Sequence, residues 1–299
     1  MLHIASPASF SGTGGSGANR IAWTALRRAD SVQALYQPVP IMTDILLITK
    51  GHPYEREAFY SVFDEMEGVD WTLVEQPAAK ALFAPEQAAQ YDAFVCYDMP
   101  GLDFSEEGCP RYIDPGDSFK THFRELLNQG HGFVFLHHAI AGWPAWPEYG
   151  DTVGGRFLYV RDTVRDRPCL DSGYRHDVTH TVSVLAEHPV TEGIPAQFEI
   201  TDELYLYEVF EDEVEPLLSS NHRFEADNFY SAAKVVVEGK MFNNDGWEHP
   251  PGSQLIGWTK TVGKSRIVYL QCGDSPSAYN NPHYRRLLKN AIAWVSSGD

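Results

Sequence analysis

The sequence predicts an α/β protein: a mostly parallel sheet with helices on both faces and a strand-rich insertion in the middle. Two observations carry this. Short apolar runs alternate with segments whose apolar residues recur at helical spacing, toward both ends of the chain. Between them, from about Gly150 to Trp247, the pattern turns to alternating strands rich in Tyr, Asp and Gly.

The elements follow in order. Ile45 to Thr49 is a short apolar run, read as a buried parallel strand. Residues 53–66 place Phe59, Val62, Phe63 and Met66 on one helical face. Trp71 to Val74 and Ala93 to Tyr97 are further strands, with a short helix opening at Pro85 between them. Ser118 to Gln129 carries Phe119, Phe123, Leu126 and Leu127 on one face and stops at Gly130, a helix-ending residue. Phe133 to Leu136 is a fourth strand. In the insertion, Thr179 to Val184 alternates strictly, with His180, Val182 and Val184 on one side. Arg266 to Gln271 is a late strand, and Pro282 to Val295 a closing helix with Leu287, Leu288 and Ile292 inward.

Residues 1–42 read as a flexible N-terminal extension and 43–299 as the folded domain. The segment Ser9 to Asn19 is nearly all Gly, Ser, Thr and Ala. Its G-T-G-G-S-G superficially matches a dinucleotide-binding turn, but no strand precedes it and no βαβ unit surrounds it. No basic segment followed by an apolar one opens the chain, so a secretory signal is not expected.

A formal net charge of −18 repels a phosphate backbone and an anionic lipid surface alike. Nucleic acid and membrane are therefore not expected as partners. A neutral ligand such as a sugar meets no such penalty. The acidity also serves solubility, whatever the ligand. The four cysteines, Cys96, Cys109, Cys169 and Cys272, form no CxxC pair and no metal-type spacing. Reduced, structural cysteines are expected, consistent with a cytoplasmic protein.

In parallel α/β sheets, ligands bind beyond the carboxyl ends of the strands. Four strands here run into polar residues: Lys50-Gly51-His52, Asp98-Met99-Pro100-Gly101, His137-His138, and Gly273-Asp274. Parallel strands would bring these imidazoles and carboxylates to one rim, where they can do acid–base work or bind a metal. One of His137 and His138 is expected to face the pocket and the other the core; the sequence leaves open which. His52 and Asp274 read equally as helix- or turn-capping residues; Asp98 could cap a turn with Gly101, but its place at the rim favours a functional role.

Other candidates come from the insertion and its approach. Trp143, Trp146 and Tyr149 follow the paired histidines, as aromatic walls for a sugar or as a packed plug. Arg156, behind Gly154 and Gly155, suits an oxyanion or carboxylate, or a structural ion pair. Asp202 and Glu203 are adjacent and point oppositely in a strand, with Tyr205 on the side of Glu203. His176 and His180 form H-x-x-x-H, but His180 falls in a strand, so the spacing is weak as a metal motif.

At these residues the chain resembles the ThuA-like, or trehalose-utilisation, family. The segments carrying the resemblance are TKGHPYER, YDMPG, GHGFVFLHHAIAGWPAWPEYGDTVGGRF, HPVTEGIPAQFEITDELY and VYLQCGDSPSAYNNPHYRRLLKNAIAW, spread from about Asp44 to Trp294. The resemblance implies a flavodoxin-like fold similar to the class I glutamine amidotransferase domain, and a place in carbohydrate metabolism. Amidotransferases of that class put a nucleophilic cysteine on the turn that here reads His137-His138-Ala139, so glutamine hydrolysis is not expected.

The expected function is therefore acid–base chemistry on a glycoside or keto-sugar, of lyase, isomerase or epimerase type. His137, His138 and Glu203 are the candidate catalytic residues. His52, Asp98, Trp143, Arg156, Asp202, Tyr205 and Asp274 are the candidate substrate contacts. A divalent metal ion is a candidate cofactor, with His137, His138 and His180 as candidate ligands. The alternative is a non-catalytic sugar-binding or accessory protein on the same scaffold. The expected partner is a small carbohydrate, with homo-oligomerisation left open.

Overall fold

The computed structural model describes residues 42–105 and 110–298. The expected N-terminal extension, Met42 excepted, and Cys109 lie outside these residues.

Nine strands of one sheet set the architecture: β1 (Thr43–Lys50), β2 (Val69–Glu75), β3 (Ala93–Asp98), β4 (Gly132–Leu136), β5 (Gly173–Val184), β6 (Gln197–Leu206), β7 (Glu215–Ser220), β8 (Leu255–Val262) and β9 (Ser265–Leu270). Their order is β6-β5-β7-β8-β9-β4-β3-β1-β2, with the short strand Tyr230–Ser231 also paired to β5. From β9 to β2 every pairing is parallel. From β6 to β9 every pairing is antiparallel. The parallel half, read as β2-β1-β3-β4-β9, has the flavodoxin-like order. The antiparallel half is the strand-rich insertion, joined to the same sheet rather than set apart from it.

Strand β1 is buried on both faces, as a central parallel strand must be. Ile45 and Leu47 enter one core cluster with Phe59, Val62 and Phe63 of helix α1 (Arg56–Asp64). Leu46 and Ile48 enter the other. Each such side chain contributes about 2 kcal/mol relative to exposure. Helix α1 is a turn shorter than residues 53–66 at its start, because Pro53 and Tyr54 are spent on the turn that carries His52. The second cluster is capped by Phe119, Phe123, Leu126 and Leu127 of α2 (Asp117–Gln129), which ends on Gly130 in the left-handed region. Helix α3 (Pro282–Ser296) covers the first cluster with Leu287, Leu288 and Ile292.

Strand β5 is twice the length expected, because the alternation starting at Thr179 continues back through a β-bulge between Arg175 and Val178. Asp177 takes the left-handed conformation there, which an Asp tolerates better than most residues.

Candidate functional site

The carboxyl ends of β1, β3, β4 and β9 share one rim, as parallel strands require. Residue φ values show how the chain turns there. Lys50 and Gly51 both have positive φ, and a Cβ on Gly51 would collide with the Met99 carbonyl. This tight turn swings His52 back over the rim. Gly273 has φ +124, and a Cβ there would run into the Tyr284 hydroxyl. His137, directly after β4, is held at φ +46, a conformation that costs a non-glycine residue on the order of 1 kcal/mol.

His137 is fully buried and is the centre of the cluster. Its Nδ1 lies 2.6 Å from the Gln271 carbonyl oxygen. A carbonyl only accepts, so Nδ1 carries a proton and donates it. Its Nε2 therefore faces Glu203 Oε2 at 3.0 Å, the Tyr205 hydroxyl at 2.6 Å and Asp274 Oδ1 at 3.4 Å. Burial alone would depress the imidazole pKa. The Asp274 and Glu203 carboxylates outweigh burial and hold it well above the usual value. The same contact holds the Asp274 carboxyl well below the usual range, against its own burial.

The backbone around this point is anchored separately. The Tyr269 hydroxyl donates to the His137 carbonyl at 2.9 Å. Asp202 accepts from the backbone N–H groups of Gly273 and Asp274 at 2.6 and 3.1 Å, although β6 and β9 stand four places apart in the sheet. Tyr279 donates to the Asp274 carbonyl at 2.7 Å. Asp202 thus holds the loop that presents Asp274.

A cavity of about 150 Å³ opens beside the cluster. His52, His176, Glu203 and Tyr205 line it, with Phe157, Tyr159 and Tyr174 as aromatic walls. His176 approaches the two carboxylates from the side opposite His137, with Nε2 3.4 Å from Glu203 Oε1 and Nδ1 3.9 Å from Asp274 Oδ2. His52 stacks on His138 with ring centroids 4.7 Å apart, and its Nδ1 donates to the Pro53 carbonyl at 2.8 Å. Its Nε2 therefore carries the lone pair. Burial, reinforced by the nearby His137, lowers the His52 pKa and keeps the ring neutral.

The sequence-predicted residues thus divide. His52, His137, Glu203, Tyr205 and Asp274 come together. His138 lies beneath His52, buried, with Nε2 donating to the Tyr97 carbonyl at 3.1 Å and Nδ1 without a partner. Asp98 is buried behind the rim and accepts from Gln76 Nε2 at 2.8 Å. Trp143 packs in the core on Phe119, ring centroids 5.3 Å apart. Arg156 is buried too, donating to the Pro144 carbonyl and lying 3.6 Å from Asp162. Of the candidates, His52, Glu203 and Tyr205 line the cavity; Asp98, Trp143, Arg156, Asp202, Asp274 and both His137 and His138, one of which was expected to face it, do not. His180 sits farther along β5 and bonds Ser220 Oγ at 2.9 Å. Among the described residues, the cluster with metal-ligand spacing is His137, Glu203 and Asp274, not the two histidines and His180.

His176, Phe157, Tyr159 and Tyr174 belong to the site without having been singled out for it. The bulge in β5 aims His176 at the carboxylates, and the H-x-x-x-H spacing carried no sign of that bulge beyond Asp177.

A family model described as trehalose utilisation matches residues 44–295. The chain belongs to the ThuA family. Solved structures agree in fold. Putative ThuA-like proteins from Bacteroides uniformis ATCC 8492 and Parabacteroides merdae ATCC 43184 are 18% and 17% identical, with TM-scores of 0.58 and 0.56. The matches cover 88% and 86% of this ThuA-family chain, and 94% and 90% of theirs. A cytoplasmic protein from Salmonella typhimurium LT2 is 12% identical, with a TM-score of 0.51 over 85% of this chain and 99% of its own. Comparison with curated proteins finds no significant match. At the turn after β4, where the amidotransferase-like reading sought a cysteine, this ThuA-family chain carries His137 in the left-handed conformation. Cys96 and Cys272 are buried, and burial pushes both thiols well up. Among the described residues, no helix is long and apolar enough to cross a membrane.

Proposed function

We propose that the protein carries out proton-transfer chemistry on a glycoside or keto-sugar bound in the cavity beside Glu203. The observation that carries this reading is Glu203 itself: a carboxylate on the wall of an aromatic-lined cavity, between two imidazoles. The cavity volume of about 150 Å³ equals about five waters at ~30 Å³ each, the scale of one sugar ring rather than a drug-sized ligand. Phe157, Tyr159 and Tyr174 offer ring faces to sugar C–H surfaces.

The roles follow from the chemistry. Glu203 takes a proton from the carbon beside a carbonyl. His176, at the more open side, faces the oxygen on which charge develops. His52, neutral with its Nε2 lone pair free, accepts from a sugar hydroxyl. His137 holds Glu203 in place through Nε2 and is a positioning residue. Arg156, buried and bonded elsewhere, has no part in this scheme. Membership of a family described by trehalose utilisation supports the carbohydrate class.

The test is incubation of the purified protein with a panel of glycosides and 3-keto-glycosides, followed by NMR. Consumption of a keto-glycoside with formation of a new product supports the reading. Saturable binding with no product over long incubation favours a non-catalytic sugar-binding protein.

A further inference from the structure

We propose that His137, Glu203 and Asp274, closed by His176, form a binding site for one first-row divalent metal ion. The proposal deepens the reading of the cavity as the working site, and rests on that reading only for its catalytic consequence.

Protons are short around His137 Nε2. Nε2 of His137 can carry one hydrogen. Three oxygens stand within bonding reach of it: Tyr205 at 2.6 Å, Glu203 at 3.0 Å and Asp274 at 3.4 Å. The Tyr205 hydroxyl brings its own proton, but the Glu203 and Asp274 oxygens bring none, and one N–H serves only one of them well. Charge gives the same answer. A charged His137 ring by itself supplies one positive charge to two carboxylates, Glu203 buried and Asp274 partly buried. A divalent cation with a neutral imidazole balances both carboxylates, and buried charge needs that balance.

Geometry fits. The three ligand atoms lie within 4.8 Å of one another. The His137–Glu203 and His137–Asp274 separations of 3.0 and 3.4 Å are those of neighbouring ligands on an ion. Bonds of about 2.1 Å put neighbours about 3.0 Å apart in an octahedron and about 3.4 Å apart in a tetrahedron. His176 Nε2 stands on the cavity side, 3.4 Å from the other oxygen of Glu203, Oε1. The ring orientation is also prepared. The Gln271 carbonyl holds the proton on Nδ1, which frees Nε2 as a ligand, and metal-binding histidines are held by this kind of outer bond. Two imidazoles among the donors favour Mn²⁺, Fe²⁺, Co²⁺ or Zn²⁺ over Mg²⁺ or Ca²⁺. The adjoining cavity leaves room for water or a substrate oxygen on the ion.

The experiment uses the full chain, stripped with a chelator and dialysed, with no sugar present. Mn²⁺ is titrated and followed by loss of the free-ion EPR signal. Co²⁺ is followed by its visible absorption, and Zn²⁺ by thermal shift. The expected result is one ion per chain, binding at least tenfold tighter than Mg²⁺. Glu203→Gln and Asp274→Asn, checked for folding by circular dichroism, are expected to weaken it at least tenfold. His176→Ala, at a partly exposed position where folding is not at stake, is expected to weaken it several-fold. His180→Ala is expected to leave it unchanged. Absence of binding to the wild-type chain up to millimolar ion overturns the proposal. So does binding that none of the folded variants at Glu203, Asp274 and His176 weakens. Because no sugar is involved, a stoichiometric ion with no sugar turnover leaves the site standing and rejects only the function.

Discussion

The Nδ1 of His137 donates to the main-chain carbonyl of Gln271 at 2.6 Å, and this bond fixes which nitrogen faces the two acids. It joins the end of β4 to the end of β9, neighbours in the sheet, and aims Nε2 across the rim at Glu203 and Tyr205 of β6, five places from β4.

Removing the ring leaves the buried Glu203 and the partly buried Asp274 with no cationic neighbour on that side. His137→Ala is expected to lose about 3–5 kcal/mol of stability, the cost of breaking a buried charge pair, together with all sugar chemistry. His138→Ala removes a ring whose Nε2 serves only the Tyr97 carbonyl. A smaller loss of about 1–3 kcal/mol is expected, with ligand binding largely kept. Thermal melts of the two variants, side by side, check the ranking.

Asp202 works through the backbone. It accepts both N–H groups of the Gly273–Asp274 turn. Asp202→Asn turns one accepting oxygen into a donor facing an N–H. About 1–3 kcal/mol of stability is expected to go, and the Asp274 loop should exchange its amide hydrogens faster. Hydrogen-exchange mass spectrometry over residues 271–280 checks this.

Asp98 gives a pH signature away from the cavity. Burial pushes its carboxyl up to about 7, partly opposed by the bond from Gln76. The folded state thus binds a proton that the unfolded chain releases near pH 4. Stability is therefore expected to fall as pH rises from about 4 to about 7, at up to about 1.4 kcal/mol per pH unit from this residue, and then level off. Asp98→Asn removes that slope. Urea unfolding of both proteins at pH 5 and pH 8 should show the variant gaining on the parent at the higher pH.

The buried cysteines are expected to be chemically silent. Cys96→Ser and Cys272→Ser place a hydroxyl where a small apolar group packs, at a cost of about 1–3 kcal/mol. If folded, both should turn over sugar as the parent does. Loss of turnover in a folded variant with a normal melting temperature would point to a thiol in the chemistry.

The parallel half of the fold and the rim residues were legible because each follows from a local rule. An apolar run followed by Lys50-Gly51-His52 or His137-His138 marks a strand and its carboxyl end without reference to anything distant. What was not legible depends on the antiparallel half. His176 reaches Glu203 only because β5 bulges at Arg175 to Val178. Tyr174 lines the cavity from β5, and Phe157 and Tyr159 from the non-strand segment well before it in sequence. Trp143 was placed by nearness in sequence to the histidines and Arg156 by the two glycines before it, yet core packing on Phe119 and the Pro144 carbonyl takes both inward. The choice between His137 and His138 likewise waited on the partners of each ring, which lie 41 to 134 residues away.

The central claim is that Glu203 moves a proton at a carbon beside a sugar carbonyl. The most direct measurement is solvent exchange: a 3-keto-glycoside that the protein binds is held with it in D₂O and followed by NMR. The account predicts deuterium entering beside the carbonyl with the wild-type chain. It also predicts at least a hundredfold slower entry with folded Glu203→Gln, the lower range for loss of a general base. Exchange by Glu203→Gln at the wild-type rate, or none by a wild-type chain that binds the sugar, would contradict it.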